Sequence, residues 1–296
     1  MEHIDDIVLH FDKGSLFLLN LILAFIMFGI ALDLKLDNFR NVIQQPKALL
    51  IGLSSQLLLL PALTFLLILV FKPMPSMALG MIMVASCPGG NISNFMSALA
   101  KANVELSIVM TVITSLTALF FTPLNFSMYG MMYEPTREIL IKVHLDWWEI
   151  VQTICLIIVF PILMGKTFSS WKPVWAEKIK KPFRNLSMLA FLGIVVFALA
   201  ANGQFFIKYI SAVFFLVLAH NGLALLTGFS WSKLWRLEKS SLRSVTIETG
   251  IQNSGLGLLL IFSFFSGLGG MAVIAAWWGI WHIISGFAMA YYFNRS

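Results

Sequence analysis

Apolar residues in this chain fill long runs separated by short polar stretches, and most runs exceed the roughly 20 residues needed to cross a ~30 Å hydrocarbon core. Taken in order, the runs predict nine helical spans at 15–33, 46–71, 74–100, 104–128, 146–165, 183–202, 209–228, 242–265 and 271–293. Between the first two, Lys35 to Arg40 reads as a short surface helix. Tyr129 to Leu145, which contains Pro135, reads as the longest connecting loop and a joint between two halves. The third run carries its own interruption, Cys87-Pro88-Gly89-Gly90-Asn91-Ile92-Ser93-Asn94. Pro88 lacks an N–H and crowds the preceding turn, and two glycines add little helix preference. A helix entering here is expected to break and free backbone polar groups, which in a membrane must face protein or a wet cavity.

Composition sets the class. Hydrophobic residues make up 59% and charged residues 11%, less than half of what a soluble domain carries. The expected fold is an all-α polytopic membrane protein of nine transmembrane helices, a single unit over residues 1–296. The net charge of +6 would suit nucleic acid only if it were clustered. With the N-terminus outside, fifteen of the twenty Lys and Arg residues fall on the inner side; Lys13, Lys72, Arg137, Lys142 and Lys208 fall outside. This bias predicts an outer N-terminus and a cytoplasmic C-terminus, in a plasma or bacterial inner membrane, and makes the basic surplus a topology signal. Lipid is thus the expected surrounding partner and nucleic acid is not; the oligomeric state is not legible. Trp147, Trp148, Trp171, Trp175, Trp231 and Trp235 fall at predicted interfaces. The acidic start (Glu2, Asp5, Asp6, Asp12) lacks the basic n-region of a signal peptide, so the first helix is expected to stay. Cys87 and Cys155 offer neither a disulfide framework nor a metal cluster, and no hydrolase triad or zinc-protease spacing appears. An enzyme is therefore not expected, nor a cofactor.

The chemistry lies in the polar residues inside spans. The eighth run has a polar centre, Glu248-Thr249-Gly250-Ile251-Gln252-Asn253-Ser254-Gly255. Two polar, glycine-interrupted spans at corresponding places of two halves are the sequence mark of an inverted-repeat transporter site. At ~1.5 Å rise per residue, Asn91 lies roughly 15 Å from Lys101, and Glu248 roughly 8–14 Å from the inner surface. A carboxylate at that depth is functional by default; the bland alternative is snorkelling, or pairing with Arg243. Gln252 follows Glu248 by one turn on the same face, and carboxylate, amide and freed carbonyls suit a small hard cation. Ser107, Thr111 and Ser115 share a face of the fourth span, a pattern that, taken alone, favours helix packing over ligation. Gln56 is a lone amide, His220 and His282 read as neutral, hydrogen-bonded core histidines, and Trp277, Trp278 and Trp281 either fill space or line an apolar cavity.

Three segments in order, Cys87-Pro88-Gly89-Gly90-Asn91-Ile92-Ser93-Asn94, Leu106 to Thr111 and Glu248 to Asn253, resemble the bile acid:sodium symporter family. Met27-Phe28-Gly29, Pro46-Lys47-Ala48 and His220-Asn221-Gly222 are also similar to it, so the resemblance runs from Leu23 to about Gly286. It implies the nine-helix version of an inverted repeat, with two discontinuous helices crossing at their unwound centres. A core domain would take residues 46–128 and 209–293, and a panel domain 15–33 and 146–202. It also implies two sodium sites: Ser93, Asn94, Ser107, Thr111 and Glu248 for one, Gln56, Gln252 and backbone carbonyls near Glu248, Thr249 and Ile251 for the other. Asn91, Asn253 and His282 match positions beside the substrate, although Asn91 replaces a threonine of some relatives. The implied activity is sodium-coupled symport of an organic anion, bile acid-like or smaller, by alternating access, with sodium as a co-transported ligand. Two rivals remain: an anion efflux carrier of the same broad fold, like the arsenite exporters, and a non-transporting membrane receptor.

Overall fold

The structure, a computed structural model, describes residues 4–5, 13–32, 36–44, 46–143, 146–201 and 203–295. Glu2, Asp6, Asp12 and Lys35 lie outside these, as do the predicted segment ends Asp33, Leu145 and Asn202. The described residues are almost wholly helical. In order they form α1 (Lys13–Leu32), α2 (Leu36–Ile43), α3 (Pro46–Ser54), α4 (Leu60–Phe71), α5 (Pro75–Ser86), α6 (Ile92–Leu99), α7 (Val104–Met132) and α8 (Glu134–Val143). There follow α9 (Trp147–Ile154), α10 (Phe160–Trp171), α11 (Pro173–Ala201), α12 (Gly203–Leu234), α13 (Lys239–Gly250), α14 (Ser254–Phe264) and α15 (Gly269–Arg295). By length and composition, six stretches can cross a membrane: Gly14–Leu32, Pro46–Phe71, Val104–Met132, Trp148–Trp171, Lys208–Leu234 and Gly269–Arg295. The chain is an all-α, multi-pass membrane protein.

The predicted runs at 74–100 and 242–265 are each two shorter helices, α5 with α6 and α13 with α14, and each pair is parted by a break. Two expectations need correction. The segment after Tyr129 is mostly helix: α7 continues to Met132 and α8 follows at once, because Thr136 and Arg137 bond back to the Tyr133 carbonyl and restart the turn. The sixth run begins ten residues earlier than expected, at Pro173, a residue pre-organised for the first turn of a helix. Pro182 lies inside α11 without ending it. The runs at 46–71 and 146–165 each contain one wider π-helical turn, at Ser55–Leu59 and Cys155–Val159.

Those turns have a local cause. Pro61 and Pro161 follow them, and neither can donate to the carbonyl four residues earlier. In the first, Leu60 N–H reaches back five residues to Ser55 O, and the carbonyl that Pro61 strands, Leu57 O, accepts instead from Asn125 Nδ2 of α7 at 2.9 Å. A π-turn adds a residue to the helix and re-aims its side chains; here it carries Ser55 and Gln56.

Helix α5 is the centre of the packing. Eleven of its twelve residues are buried, as a helix that is apolar all round must be. It packs along α15 and α7, while α13 packs along α12. On the other side α1 packs along α10 and α11, with Phe25 stacked on Phe183. The α1–α14 and α11–α15 contacts join the two groups.

Candidate functional site

The two helix breaks meet. Gly90 N–H donates to Ile251 O at 2.9 Å and Asn253 N–H to Pro88 O at 2.8 Å, closing a short antiparallel bridge between Gly89 and Gln252. Helices α5 and α13 therefore end at this point and α6 and α14 begin there. The freed carbonyls of the two ending helices are partly taken up by side chains, Ser86 O by Thr122 (2.8 Å) and Gly250 O by Asn221 (2.7 Å). The backbone approach is close: a Cβ on Gly89 would press on the Glu248 carboxylate and the Gln56 amide, and one on Gly90 on the Gln252 backbone.

Glu248 is fully buried on the last turn of α13. It does not pair with Arg243, which donates to Ala100 O and lies over the Phe293 ring. Its carboxylate instead accepts from Ser107 (2.8 Å) and Thr111 (2.6 Å) of α7. The same two hydroxyls lie within hydrogen-bond distance of Asn94 Oδ1, at 2.9 and 3.3 Å, and Thr111 also of Ser107 O at 3.0 Å. A hydroxyl has one proton to give. Those two protons thus face four acceptor oxygens, an oxygen-rich arrangement that suits a cation. Ser93 Oγ, buried against the same carboxylate, adds a fifth oxygen and a third hydroxyl proton and makes no hydrogen bond. All five oxygen-bearing residues the resemblance assigns to the first site are together.

The second set also adjoins Gly89. The π-turn brings Gln56 Nε2 to 3.3 Å from Gln252 Oε1, while Gln56 Oε1 is buried without a hydrogen bond. Gln252 Nε2 donates to Thr249 O (2.9 Å), and the Thr249 hydroxyl pairs with Ser55 (2.9 Å). The Ile251 carbonyl is occupied by Gly90 N–H, and the Glu248 carbonyl faces Ile251 N–H at a long 3.4 Å. Both sets consist of oxygens, the donor type that hard cations take. Among the described residues no three His, Cys, Asp or Glu side chains cluster.

Beside the crossing lies a cavity of about 340 Å³. The starts of α6 and α14 reach it through Asn91, Ile92, Asn253 and Ser254; His282 of α15 lines it too, and Leu23, Ile26 and Met27 of α1 form an apolar wall. Asn253 Oδ1 caps α14 through Leu256 N–H at 3.0 Å, leaving its Nδ2 without a partner. Ser254 Oγ and both His282 ring nitrogens are also buried and unbonded. Asn91, half-buried, starts α6 without a side-chain cap bond. His282 was expected to be hydrogen-bonded as a core histidine; it is not, whereas His220 is, to Thr64 at 2.8 Å. Trp278 is fully buried against His220, and Trp277 and Trp281 pack on Phe214.

Sequence reasoning passed over Thr114, whose hydroxyl accepts from Gly89 N–H at 3.3 Å, and Ser97, which donates to Ser107 at 3.2 Å. It also passed over Asn125, although an amide in an otherwise apolar run was a signal open to view.

A family model described as the sodium bile acid symporter family matches residues 20–209. The chain is 31% identical over 296 residues to a Bacillus subtilis (strain 168) protein described as an uncharacterized sodium-dependent transporter, YocS, covering 97% of this chain and 88% of that one. It is 30% identical to the mouse P3 protein over 85% of this chain, which spans about half (52%) of that protein's length. It is 25% identical to a sodium-dependent organic anion transporter of Bos taurus, over 87% of this chain and 71% of that protein. The motifs at the two breaks and the matched family model agree, and the chain belongs to the sodium bile acid symporter family.

Proposed function

We propose that the chain is a sodium-coupled symporter of small organic anions. The observation that carries this reading is the proton-poor oxygen cage around Glu248, set one helix break away from a cavity that two helix N-termini face. Helix N-termini present free N–H groups and partial positive charge, which suits a carboxylate or sulfonate. Helix C-termini present carbonyls, which suit a cation. One crossing supplies both. Ser93, Asn94, Ser107, Thr111 and Glu248 hold one sodium ion in this reading. Gln56, Gln252 and carbonyls at Glu248, Thr249 and Ile251 hold the other, with the Ile251 carbonyl shared with Gly90. The anion's head group meets Asn91, Asn253 and His282.

The crossing helices also fit an inverted repeat with nine spans, N-terminus outside, in which α5–α6 and α13–α14 are half-helix pairs of opposite direction. Residues 46–128 and 209–293 then act as a core moving against a panel of 15–33 and 146–202, with the cavity between them. The relatives' printed descriptions, sodium-dependent transporter and sodium-dependent organic anion transporter, favour the same coupling. Cys87, which an exporter-like reading would need, packs near Gly257 and is not among the cavity-lining residues.

The test is Glu248→Gln in proteoliposomes. The variant keeps size and hydrogen bonding and loses the charge. Sodium-driven accumulation of labelled taurocholate or of a small carboxylate disappears, and so does stabilisation by sodium, while the protein still folds. A parental sodium response in the variant overturns the assignment. Proton-driven efflux would raise the exporter reading to first place, and absence of flux the receptor reading.

A further inference from the structure

The protein's positive charge gathers at one corner, far along the chain from the crossing. The segment from Lys166 to Arg184 holds Lys166, Lys172, Lys178, Lys180, Lys181 and Arg184 against a single acid, Glu177, so five of the net six positive charges fall within it. The corner is the joint of α10 and α11, where Lys172 alone separates Trp171 from Pro173. Trp171 also ends the membrane-crossing stretch Trp148–Trp171, so the cations lie where that stretch leaves the membrane. A bias of Lys and Arg toward one side orients a membrane protein; it does not require nearly all of the net charge to collect at one joint. Nor is the charge neutralised from within. Lys180 pairs with Glu177 at 2.6 Å, whereas Lys172, Lys178 and Lys181 are exposed and make no ion pair with a described residue.

Helical spacing gathers the unpaired cations. Val174, Lys178 and Lys181 form one stripe of α11 (i, i+4, i+7) with Trp175 beside it, while Ala176 is turned inward and buried. Lys178 and Lys181, neighbours on this stripe, repel one another, and an anion lying across them removes the repulsion. The same corner leaves large apolar side chains outside the packing: Trp171 is 74%, Val174 67% and Trp175 61% exposed. The Lys172 ammonium lies 4.6 Å from the centroid of the Trp171 ring, and that of Lys178 lies 5.8 Å from that of Trp175. Each exposed indole therefore has a cation beside it. Indoles belong at headgroup level in a membrane, and lysines next to them reach the phosphates. We propose that this corner is a binding surface for anionic phospholipid headgroups, with Lys172, Lys178 and Lys181 on the phosphodiester and Trp171 and Trp175 in the headgroup layer. An acidic protein segment would use the cations and leave the indoles unexplained; an anionic lipid surface uses both. At about 1 kcal/mol per cation near such a surface, each lysine is worth roughly a fivefold preference for anionic over neutral lipid, and the three together roughly a hundredfold at low salt. The inference is independent of what the protein transports.

The experiment titrates the full chain, in neutral detergent, with phosphatidylglycerol or with phosphatidylcholine of the same acyl chains. Binding is read as thermal stabilisation and as lipid retained in native mass spectrometry. The parent prefers phosphatidylglycerol by roughly a hundredfold at low salt, and the preference shrinks as salt is added, as it must for exposed charges. Lys178→Gln combined with Lys181→Gln cuts the preference by roughly 25-fold, and Lys178→Arg combined with Lys181→Arg keeps it. Lys47→Gln combined with Lys233→Gln removes the same charge from other exposed positions and leaves the preference at its parental value. The melting temperature without added lipid shows that each variant is folded. Equal binding of the two lipids by the parent, or a Lys178 and Lys181 glutamine pair that keeps the preference, overturns the proposal. An equal loss in the Lys47 and Lys233 pair also overturns it, since net charge and no particular surface would then be responsible. Binding of polyglutamate that phosphatidylglycerol does not displace overturns it too and gives the corner to an acidic protein partner.

Discussion

Asn125 should govern sodium affinity without touching either ion. Its amide holds the carbonyl of Leu57, the one Pro61 cannot serve, and so sustains the π-turn that aims Gln56 at Gln252. Asn125 is 4% exposed and Leu57 is 8% exposed, so water does not replace a lost donor freely. Asn125→Leu then leaves a buried carbonyl unpaired, at a cost of about 1–3 kcal/mol. The helix can relieve part of that cost only by changing its winding, and one residue of rewinding turns a side chain by roughly 100°. If the whole cost falls on the sodium-bound state, sodium affinity drops by roughly 5- to 150-fold, at about 1.4 kcal/mol per factor of ten. The assay is a sodium titration of thermal stability, with anion affinity then measured at saturating sodium. The half-saturating sodium concentration rises, and the anion affinity at saturation is little changed. Pro61→Ala in the same chain supplies a backbone N–H for Leu57, so the stability lost with Asn125 returns; it also removes the cause of the π-turn, so the sodium affinity stays low, and a double-mutant cycle separates the two effects. A parental titration for Asn125→Leu would refute the argument.

Two further predictions address the crossing itself. In Gly89→Ala the new methyl meets the Glu248 carboxylate and the Gln56 amide, so sodium-induced stabilisation is lost although the backbone there needs no left-handed conformation; an unchanged sodium response would show that the oxygens have room to spare. Asn253→Asp keeps the cap on α14 but exchanges the free amide for a negative oxygen facing the cavity. Anion affinity should fall at least tenfold, the lower end for a hydrogen bond to a charged group of roughly 1.5–3 kcal/mol, while sodium still stabilises the protein, and retained affinity for several anions would put the head group elsewhere.

The first break was legible because Pro88, Gly89 and Gly90 act locally: they prevent a helix whatever surrounds them. The polar centre of the second was visible, but the position of its break was not, since only Gly250 marks it and the break at Ile251–Asn253 is made by pairing with Pro88 and Gly90, more than 160 residues away in sequence. Ser107 and Thr111 illustrate the limit of periodicity. Their spacing fits packing as well as ligation, and only Glu248 opposite them distinguishes the two. The π-turn went unread although Pro61 was in plain view, because a proline reports a lost hydrogen bond and not how a neighbour such as Asn125 makes it good. Helix α8 was read as loop because Pro135 and the charges around it suggest a turn, yet proline is tolerated in a first helical turn and the segment starts one.

The geometry of the crossing also says how the two ligands would be coupled. Glu248 lies two residues before the end of α13, and Asn253 caps the start of α14, so the four residues between them join one ligand's contact to the other's. They are tied to the first break by only two backbone hydrogen bonds, from Gly90 and Asn253. An ionised Glu248 without a cation has oxygens but too few protons around it, and an arrangement of that kind is held together poorly in a medium of low polarity. In the proposed reading, a cation drawn among Glu248, Asn94, Ser107 and Thr111 would link α13, α6 and α7 and so fix the start of α6 together with that of α14. An anion would then meet N–H groups already in place and spend less of its binding energy ordering them. By linkage the anion must tighten sodium by the same factor, and for a coupling in the usual range of 1–3 kcal/mol each ligand raises the other's affinity by roughly 5- to 150-fold. Neither helix pair alone provides this, because each contributes one carbonyl-bearing end and one N–H-bearing end; only their crossing brings two of each kind to a single point.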